Sequence, residues 1–283
     1  MKFYLFITFS FCLSTFAKED QWDGKHYINT SDLQYQWATS YIQKFKLEGH
    51  EKILDIGCGD GRVTAVMAQS LSNCPVLGID TSNSMLQVAQ TLKDKISLPN
   101  LDFAWRDALN LGFINEFDFI VSFSCFHWIS DHFTALQEIE KALTPGGKVF
   151  LYFALDQGHD RIDHAIDAVV HSEKWVSYFS DFSTPYFLIR PSKFISYAEK
   201  ANLFLKRIES VIVDEVFPTK AAFATWMSGW MSHLKRLPKE LHREFLEEIV
   251  DLYLQKHSTD MENKLHYIGY WVEVELYKPL NFY

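Results

Sequence analysis

The chain has 283 residues, 48% of them hydrophobic and 16% aromatic, enough to bury a sizeable core in one large domain or in a domain with a cap. A formal net charge of −9 argues against a general nucleic-acid surface, which needs a basic face, though it leaves room for a local basic groove. The four cysteines, Cys12, Cys58, Cys74 and Cys125, show no C-x-x-C pair and no metal spacing, so they read as small, semi-buried thiols rather than a disulfide framework.

At the N-terminus, Lys2, the apolar run Phe3–Leu13, the small residues up to Ala17 and the charged Lys18-Glu19-Asp20 have the layout of a secretory signal peptide. Residues 1–17 are too short to span a bilayer comfortably. A misassigned start or an apolar N-terminal helix is the competing reading. Residues 18–283 are expected to form a single domain, with a ligand-binding core at 50–155 and acceptor-side elements and last strands at 156–283. Gln21–Leu47 reads as a helical cover, because apolar and aromatic residues from Leu33 to Phe45 recur every three or four positions. Ser31-Asp32 offers it a cap, and Tyr27 and Trp37 are its candidate ligand contacts.

The most informative stretch is Lys52–Gly61, Lys-Ile-Leu-Asp-Ile-Gly-Cys-Gly-Asp-Gly. An apolar strand runs into glycines at alternate positions, and helix-compatible sequence follows from Arg62. Glycine permits positive φ and close approach of a ligand, and the helix N-terminus presents unpaired N–H groups. The spacing Gly57-x-Gly59-x-Gly61 departs from the Gly-x-Gly-x-x-Gly of a pyrophosphate turn. Asp55 and Asp60 beside it favour a cationic or zwitterionic guest over a phosphate.

Beyond the turn, strands and helices alternate. A helix is expected over Arg62–Leu71, a strand over Pro75–Asp80, a helix from Met85 to about Lys95 capped within Ser82-Asn83-Ser84, and strands over Leu101–Asp107 and Glu116–Ser124. A helix over Asp131–Leu143 stops at Thr144-Pro145-Gly146-Gly147, and a fifth strand covers Lys148–Leu155. This order implies a parallel sheet with right-handed crossovers, and acids fall where consecutive strands end, the edge at which such sheets bind ligands. Asp80 and Asp107 have a rival role as helix N-caps. Later, Asp156–Pro191 reads as an insertion over the site, Ser192–Asn202 as a helix, Phe204–Phe217 as a strand region, Thr219–Lys256 as two helices broken at Leu237-Pro238, and His266–Lys278 as a last strand. His159, Asp160, Asp163, His164 and His171 form no familiar metal-ligand motif and read as a solvated helix face. No metal is expected.

The motifs of Lys52–Leu155 are similar to those of class I S-adenosylmethionine-dependent methyltransferases. With Trp22-Asp-Gly-Lys-His-Tyr27 and the Trp226–Lys278 region, the chain resembles the trans-aconitate and juvenile-hormone-acid methyltransferase group. The resemblance implies a Rossmann-like α/β fold: a sheet of seven strands, mostly parallel with the last antiparallel, plus the helical cover and a C-terminal helical insertion. It implies S-adenosyl-L-methionine as cofactor and S-adenosyl-L-homocysteine as product. Asp55 and the Gly57-Cys58-Gly59 backbone would meet the methionine portion, Asp80 the two ribose hydroxyls, Thr81 and Met85 the adenine faces, and Asp107 with Ala108 the adenine edge. Ser122 to Ser124 would lie near the transferable methyl.

Ser124-Cys125-Phe126-His127-Trp128 replaces the Asn/Asp-Pro-Pro-Tyr often seen in methyltransferases of nucleobase and amide nitrogens, and looks like the variant of the small-carboxylate group. His127 and Trp128 are expected in the acceptor pocket, as a donor to the acceptor oxygen and an apolar wall. The bland rival is a capping histidine and a buried tryptophan. A carboxylate acceptor is already anionic and needs no dedicated base, so the protein's task is alignment in a dry site. Arg190, His233, Lys235 and Arg236 are candidates by type for contacting that carboxylate, and Trp226 and Trp230 for closing the pocket. The expected partner is therefore a small-molecule carboxylic acid, not a nucleic acid. The alternatives are an NAD(P)-dependent oxidoreductase on a related sheet, which the glycine spacing and loop acids disfavour, and a non-catalytic cofactor-binding module. The leader implies export, whereas cofactor supply implies the cytoplasm.

Overall fold

Ile53–Ile56 (β1) is buried at every residue, the profile of a central strand in a parallel sheet. The computed structural model describes residues 20–257 and 259–280, so the leader reading and Cys12 lie outside the described residues. In it β1 is flanked by β2 (Val76–Asp80) and β4 (Phe117–Phe123). Outside these lie β3 (Leu101–Trp105) and β5 (Leu143–Ala154), then β7 (Leu265–Tyr277) and β6 (Phe204–Phe217). The order is β3-β2-β1-β4-β5-β7-β6; β1 to β5 are parallel, and β7 runs antiparallel to both its neighbours. The expected seven-stranded, mostly parallel sheet is present. Its order reverses between β1 and β4, which opens a crevice at the carboxyl ends of the strands.

Helices α1 (Gly24–Tyr27), α2 (Asp32–Ile42), α3 (Arg62–Ser70) and α4 (Asn83–Ile96) precede β3. They are followed by α5 (His132–Ala142), α6 (Ile162–Val170), α7 (Pro191–Lys200), α8 (Lys220–Ser228) and α9 (His242–Leu254). Alternation along β5 divides the core. Val149, Leu151 and Phe153 pack with Leu136 and Ile139 of α5 and Phe194 of α7, whereas Phe150, Tyr152 and Ala154 pack with Tyr41 of α2 and Met67 of α3. A third cluster joins α6, α8 and α9 through residues such as Ile166, Trp226, Phe245 and Ile249.

Several boundaries differ from expectation for local reasons. The cover is two helices rather than one, and the Ser31 hydroxyl makes no cap; it accepts from Arg62 Nη2 at 2.6 Å. Ser82 does cap α4, accepting from the Met85 N–H at 3.1 Å, and so Asp80 is not the cap. Helix α5 ends at Ala142 because Leu143 already pairs with Phe117. Between α8 and α9, short 3₁₀ turns at Ser232–Arg236 and Lys239–Leu241 carry the chain past Pro238.

Candidate active site

The turn after β1 is shaped by its glycines. Gly57 has φ +76°, and a Cβ there would lie 2.1 Å from Cys125 Sγ. The Gly57 and Cys58 N–H groups both donate to Ile79 O, at 2.8 and 3.0 Å, which binds the turn to β2. Gly59, with φ +54°, donates its N–H to Asp80 Oδ2 at 3.0 Å. Asp80 Oδ1 accepts from the Ser82 N–H at 2.8 Å, so each carboxylate oxygen keeps a free lone pair. Burial pushes the Asp80 carboxyl upward against these hydrogen bonds.

Asp55 is 2% exposed and accepts from Thr64 Oγ1 at 2.6 Å. Burial raises its pKa to about 7, with Asp80 adding a smaller contribution. Asp60 is placed differently from the sequence expectation. Its oxygens take the Arg62 N–H at 3.1 Å and Nε at 2.9 Å, so its charge is committed to the start of α3 rather than offered to a guest. Arg62 also reaches Asp32 Oδ1 at 2.9 Å and thereby pins α2 over the turn.

Three cavities meet here. The largest, about 510 Å³, follows the strand ends and is lined by Gly57, Gly59, Asp80, Thr81, Met85, Asp107 and Ala108, as well as Trp105 and Asp20. A small one near Asp55, Cys58 and Asp60 adjoins it through Tyr27, Gly57, Gly59 and Ser124. The third, about 50 Å³, lies under the C-terminal helices and is lined by His127, Trp128, Trp226, Trp230, Tyr186, Trp271, Arg161 and Asp163. Tyr27 and Ser124 line all three. Trp22 and Trp128, whose rings meet edge to face at 5.0 Å, line both the first and the third.

Ser124 is the junction residue. It is a non-glycine residue at φ +52°, and its buried Oγ has no hydrogen-bond partner among the described residues. A strained backbone and an orphaned hydroxyl at a cavity junction mark a place where a ligand completes the structure. Ser122, by contrast, is fully buried, spends its hydroxyl on Ile56 O at 2.9 Å and lines none of these cavities. Asp107 lies beyond the end of β3, where Oδ1 accepts the Leu109 N–H at 2.9 Å to hold a turn, not a helix cap.

His127 is 2% exposed and stacked on Tyr186. Burial, with the nearby Arg161 charge, pushes its pKa down to about 3. Its Nδ1 accepts the Ala154 N–H at 3.3 Å, so the neutral ring carries its proton on Nε2. Asp131, not His127, caps α5. Burial likewise holds the Cys125 thiol protonated.

None of the four basic residues picked by type lines the third cavity. Arg190 is exposed, Lys235 donates to Asp20 O, Arg236 pairs with Asp181, and His233 is buried against Phe182 with its pKa pushed down to about 4 by burial. The cation lining that cavity is Arg161, which the sequence does not single out, joined to Asp163, which reads from the sequence as part of a solvated helix face. Only the fold of α6 against β7 reveals them. Trp105, whose Nε1 donates to Thr81 O at 2.8 Å, was also missed, since nothing in a short edge strand marks it as a site residue.

The open sheet with its switch-point crevice and antiparallel β7 has the Rossmann-like architecture that class I methyltransferases share. A family model described as "Methyltransferase domain" matches residues 53–147. The chain is 25% identical to the trans-aconitate 2-methyltransferase of Deinococcus radiodurans over 88% of this chain and 95% of that one. Methyltransferase 235L of Invertebrate iridescent virus 6 is 24% identical, over 82% of this chain and 85% of its own. Among solved structures, the YcgJ protein of Bacillus subtilis shares the fold with a TM-score of 0.64 at 15% identity, covering 87% of this chain and 99% of that one. Phosphoethanolamine N-methyltransferase 2 of Haemonchus contortus, solved with S-adenosyl-L-methionine, does so at 0.60 and 20%, covering 92% of this chain and 58% of its own. The protein is an S-adenosylmethionine-dependent methyltransferase resembling the trans-aconitate methyltransferase group.

The residues at the large cavity fit that cofactor. The cavity volume lies within the usual range for cofactor sites. Asp80 retains acceptor capacity suited to a diol, Met85 and Ala108 supply apolar faces, and the unpartnered Ser124 hydroxyl lies where the cavities join.

Proposed function

We propose that the protein methylates a small molecule on a carboxylate oxygen. The observation that carries this reading is the lack of a base in the third cavity among the described residues. His127 stays neutral with its pKa near 3, burial pushes Tyr267 up to about 12, and Asp163 is engaged by Arg161. Such a cavity serves an acceptor that reacts without losing a proton, and a carboxylate is one at neutral pH. The trans-aconitate methyltransferase likeness supports the same acceptor class.

In this reading Asp80 accepts from the ribose hydroxyls, Thr81 and Met85 flank the adenine, and Asp107 with Ala108 meets its edge. Asp55 and the Gly57-Cys58-Gly59 turn receive the charged end of the methionine portion, and Tyr27 closes over it. The bound cofactor's chemistry is that of a sulfonium offering its methyl to a nucleophile. With a carboxylate oxygen as that nucleophile, the methyl would pass from sulfur to oxygen, leaving a neutral ester and S-adenosylhomocysteine and no proton for a base to take. Trp128 and Trp22 wall the junction and exclude water, and His127 donates from Nε2 to the acceptor oxygen. A labelled-methyl screen over small acids, phenols and amines tests the reading. Base-labile, volatile label from acids is expected; label only in amines or phenols would refute it.

A further inference from the structure

Arg161 is a charged side chain only 11% exposed, set in the aromatic third cavity between β5 and the start of α6. Its Nε donates to both oxygens of Asp163, at 2.9 and 3.2 Å, and its Nη1 to Leu155 O at 3.1 Å and Tyr270 O at 3.4 Å. Among the described residues its side-chain hydrogen bonds run through Nε and Nη1 only, and Nη2 makes none. A guanidinium is costly to bury alone. Here Asp163 and two backbone carbonyls hold it in one orientation and leave one amino group unused. The cavity's 50 Å³ has room for on the order of four water-sized groups, the size of a carboxylate and a carbon or two.

We propose that Arg161 anchors the acceptor, its free Nη2 donating to an acceptor carboxylate, and that Asp163 is the positioning residue that orients the guanidinium. This rests on the carboxylate reading above and names the residue that enforces it. Asp163 also serves the resting enzyme, because it keeps the guanidinium paired when no acceptor is present. Conversion of an anchored carboxylate to an ester removes the charge from the contact, which weakens product binding relative to substrate.

The test is steady-state kinetics with saturating cofactor on propionic, 3-phenylpropionic and trans-aconitic acids, with 3-phenylpropylamine as control. Wild type, Arg161→Gln, Arg161→Lys and Arg161→Gln/Asp163→Asn are compared, each with S-adenosylhomocysteine affinity measured by calorimetry as a check on folding. Loss of a charge-assisted hydrogen bond predicts a KM for the acid raised by about 10- to 150-fold in Arg161→Gln, with kcat changed far less and cofactor affinity intact. Arg161→Lys restores part of the loss because it returns the charge without the planar fork. Where Arg161→Gln alone fails to fold around an orphaned Asp163, the double variant removes that carboxylate and carries the same prediction. Acid methylation with an unchanged KM in these variants overturns the role of Arg161 and leaves the carboxylate reading standing. A wild type that methylates the amine and none of the acids overturns both.

Discussion

Asp80 and Asp55 sit on adjacent parallel strands and differ in what meets their oxygens. Asp80 accepts two backbone N–H groups and faces the large cavity; Asp55 accepts one hydroxyl and is enclosed. Asp80→Ala is therefore expected to weaken S-adenosylhomocysteine binding by about 10- to 150-fold, the value of a charged hydrogen bond, with little change in melting temperature. Calorimetry on the folded variant checks this, and unchanged affinity would remove Asp80 from the ribose. For Asp55 the raised pKa sets the pH dependence. An acid whose folded pKa lies near 7 favours the fold fully below its unfolded value, about 4, and that contribution is lost as pH rises through 7. Asp55→Asn should then melt higher than wild type at pH 8 and close to it at pH 4. A cationic guest favours the ionised form, so cofactor affinity should rise with pH through about 7 in wild type and stay flatter in Asp55→Asn.

The glycine turn and its neighbouring helices act as a unit. Gly57→Ala combines positive φ with overlap on Cys125 Sγ, at 2.1 Å from the added Cβ. The backbone penalty alone is roughly 1–2 kcal/mol. A melting temperature several degrees lower and loss of cofactor binding are expected; wild-type melting would show that the turn tolerates a side chain. Arg62 joins Asp60, Asp32 and Ser31, so it ties the cover helix α2 to the same turn. The contact with Asp32 is solvent-exposed on the acid's side and contributes about 0–1 kcal/mol, whereas Asp60 is buried and would be left without its cation. Arg62→Ala should accordingly lower the melting temperature, speed amide exchange across residues 24–42, and weaken cofactor binding because Tyr27 is less firmly seated; wild-type melting and exchange would show that Asp60 does not need this partner.

At the scale of the whole molecule, cofactor binding should appear as linkage. A ligand at a hundred times its dissociation constant stabilises by about 2.7 kcal/mol, roughly a 5 °C rise in melting temperature for a chain of this size. S-adenosylhomocysteine should produce this shift and NAD should not. Stabilisation by NAD alone would return the protein to the oxidoreductase class.

The elements from Ile53 to Ala154 were legible from the sequence because a parallel sheet writes itself as apolar runs, glycine turns and helix caps, all local signals. The acids Asp55, Asp80 and Asp107 were legible for the same reason, since a strand end is a position in the chain. Ser122 was indistinguishable from Ser124 in sequence; only the buried bond from Ser122 to Ile56 O and the positive φ of Ser124 separate them. Asp60 looks like a ligand-facing charge in the sequence, but in the fold Arg62 Nε donates to its carboxylate. The sequence by itself thus determined the sheet, the glycine turn and the methyltransferase class, because these rest on neighbours within a few residues. Only the tertiary structure decided the third cavity, the one proposed for the acceptor. His127, Trp271, Tyr186 and Arg161 come together from four distant segments; burial keeps the histidine neutral, and among the described residues one guanidinium nitrogen makes no hydrogen bond.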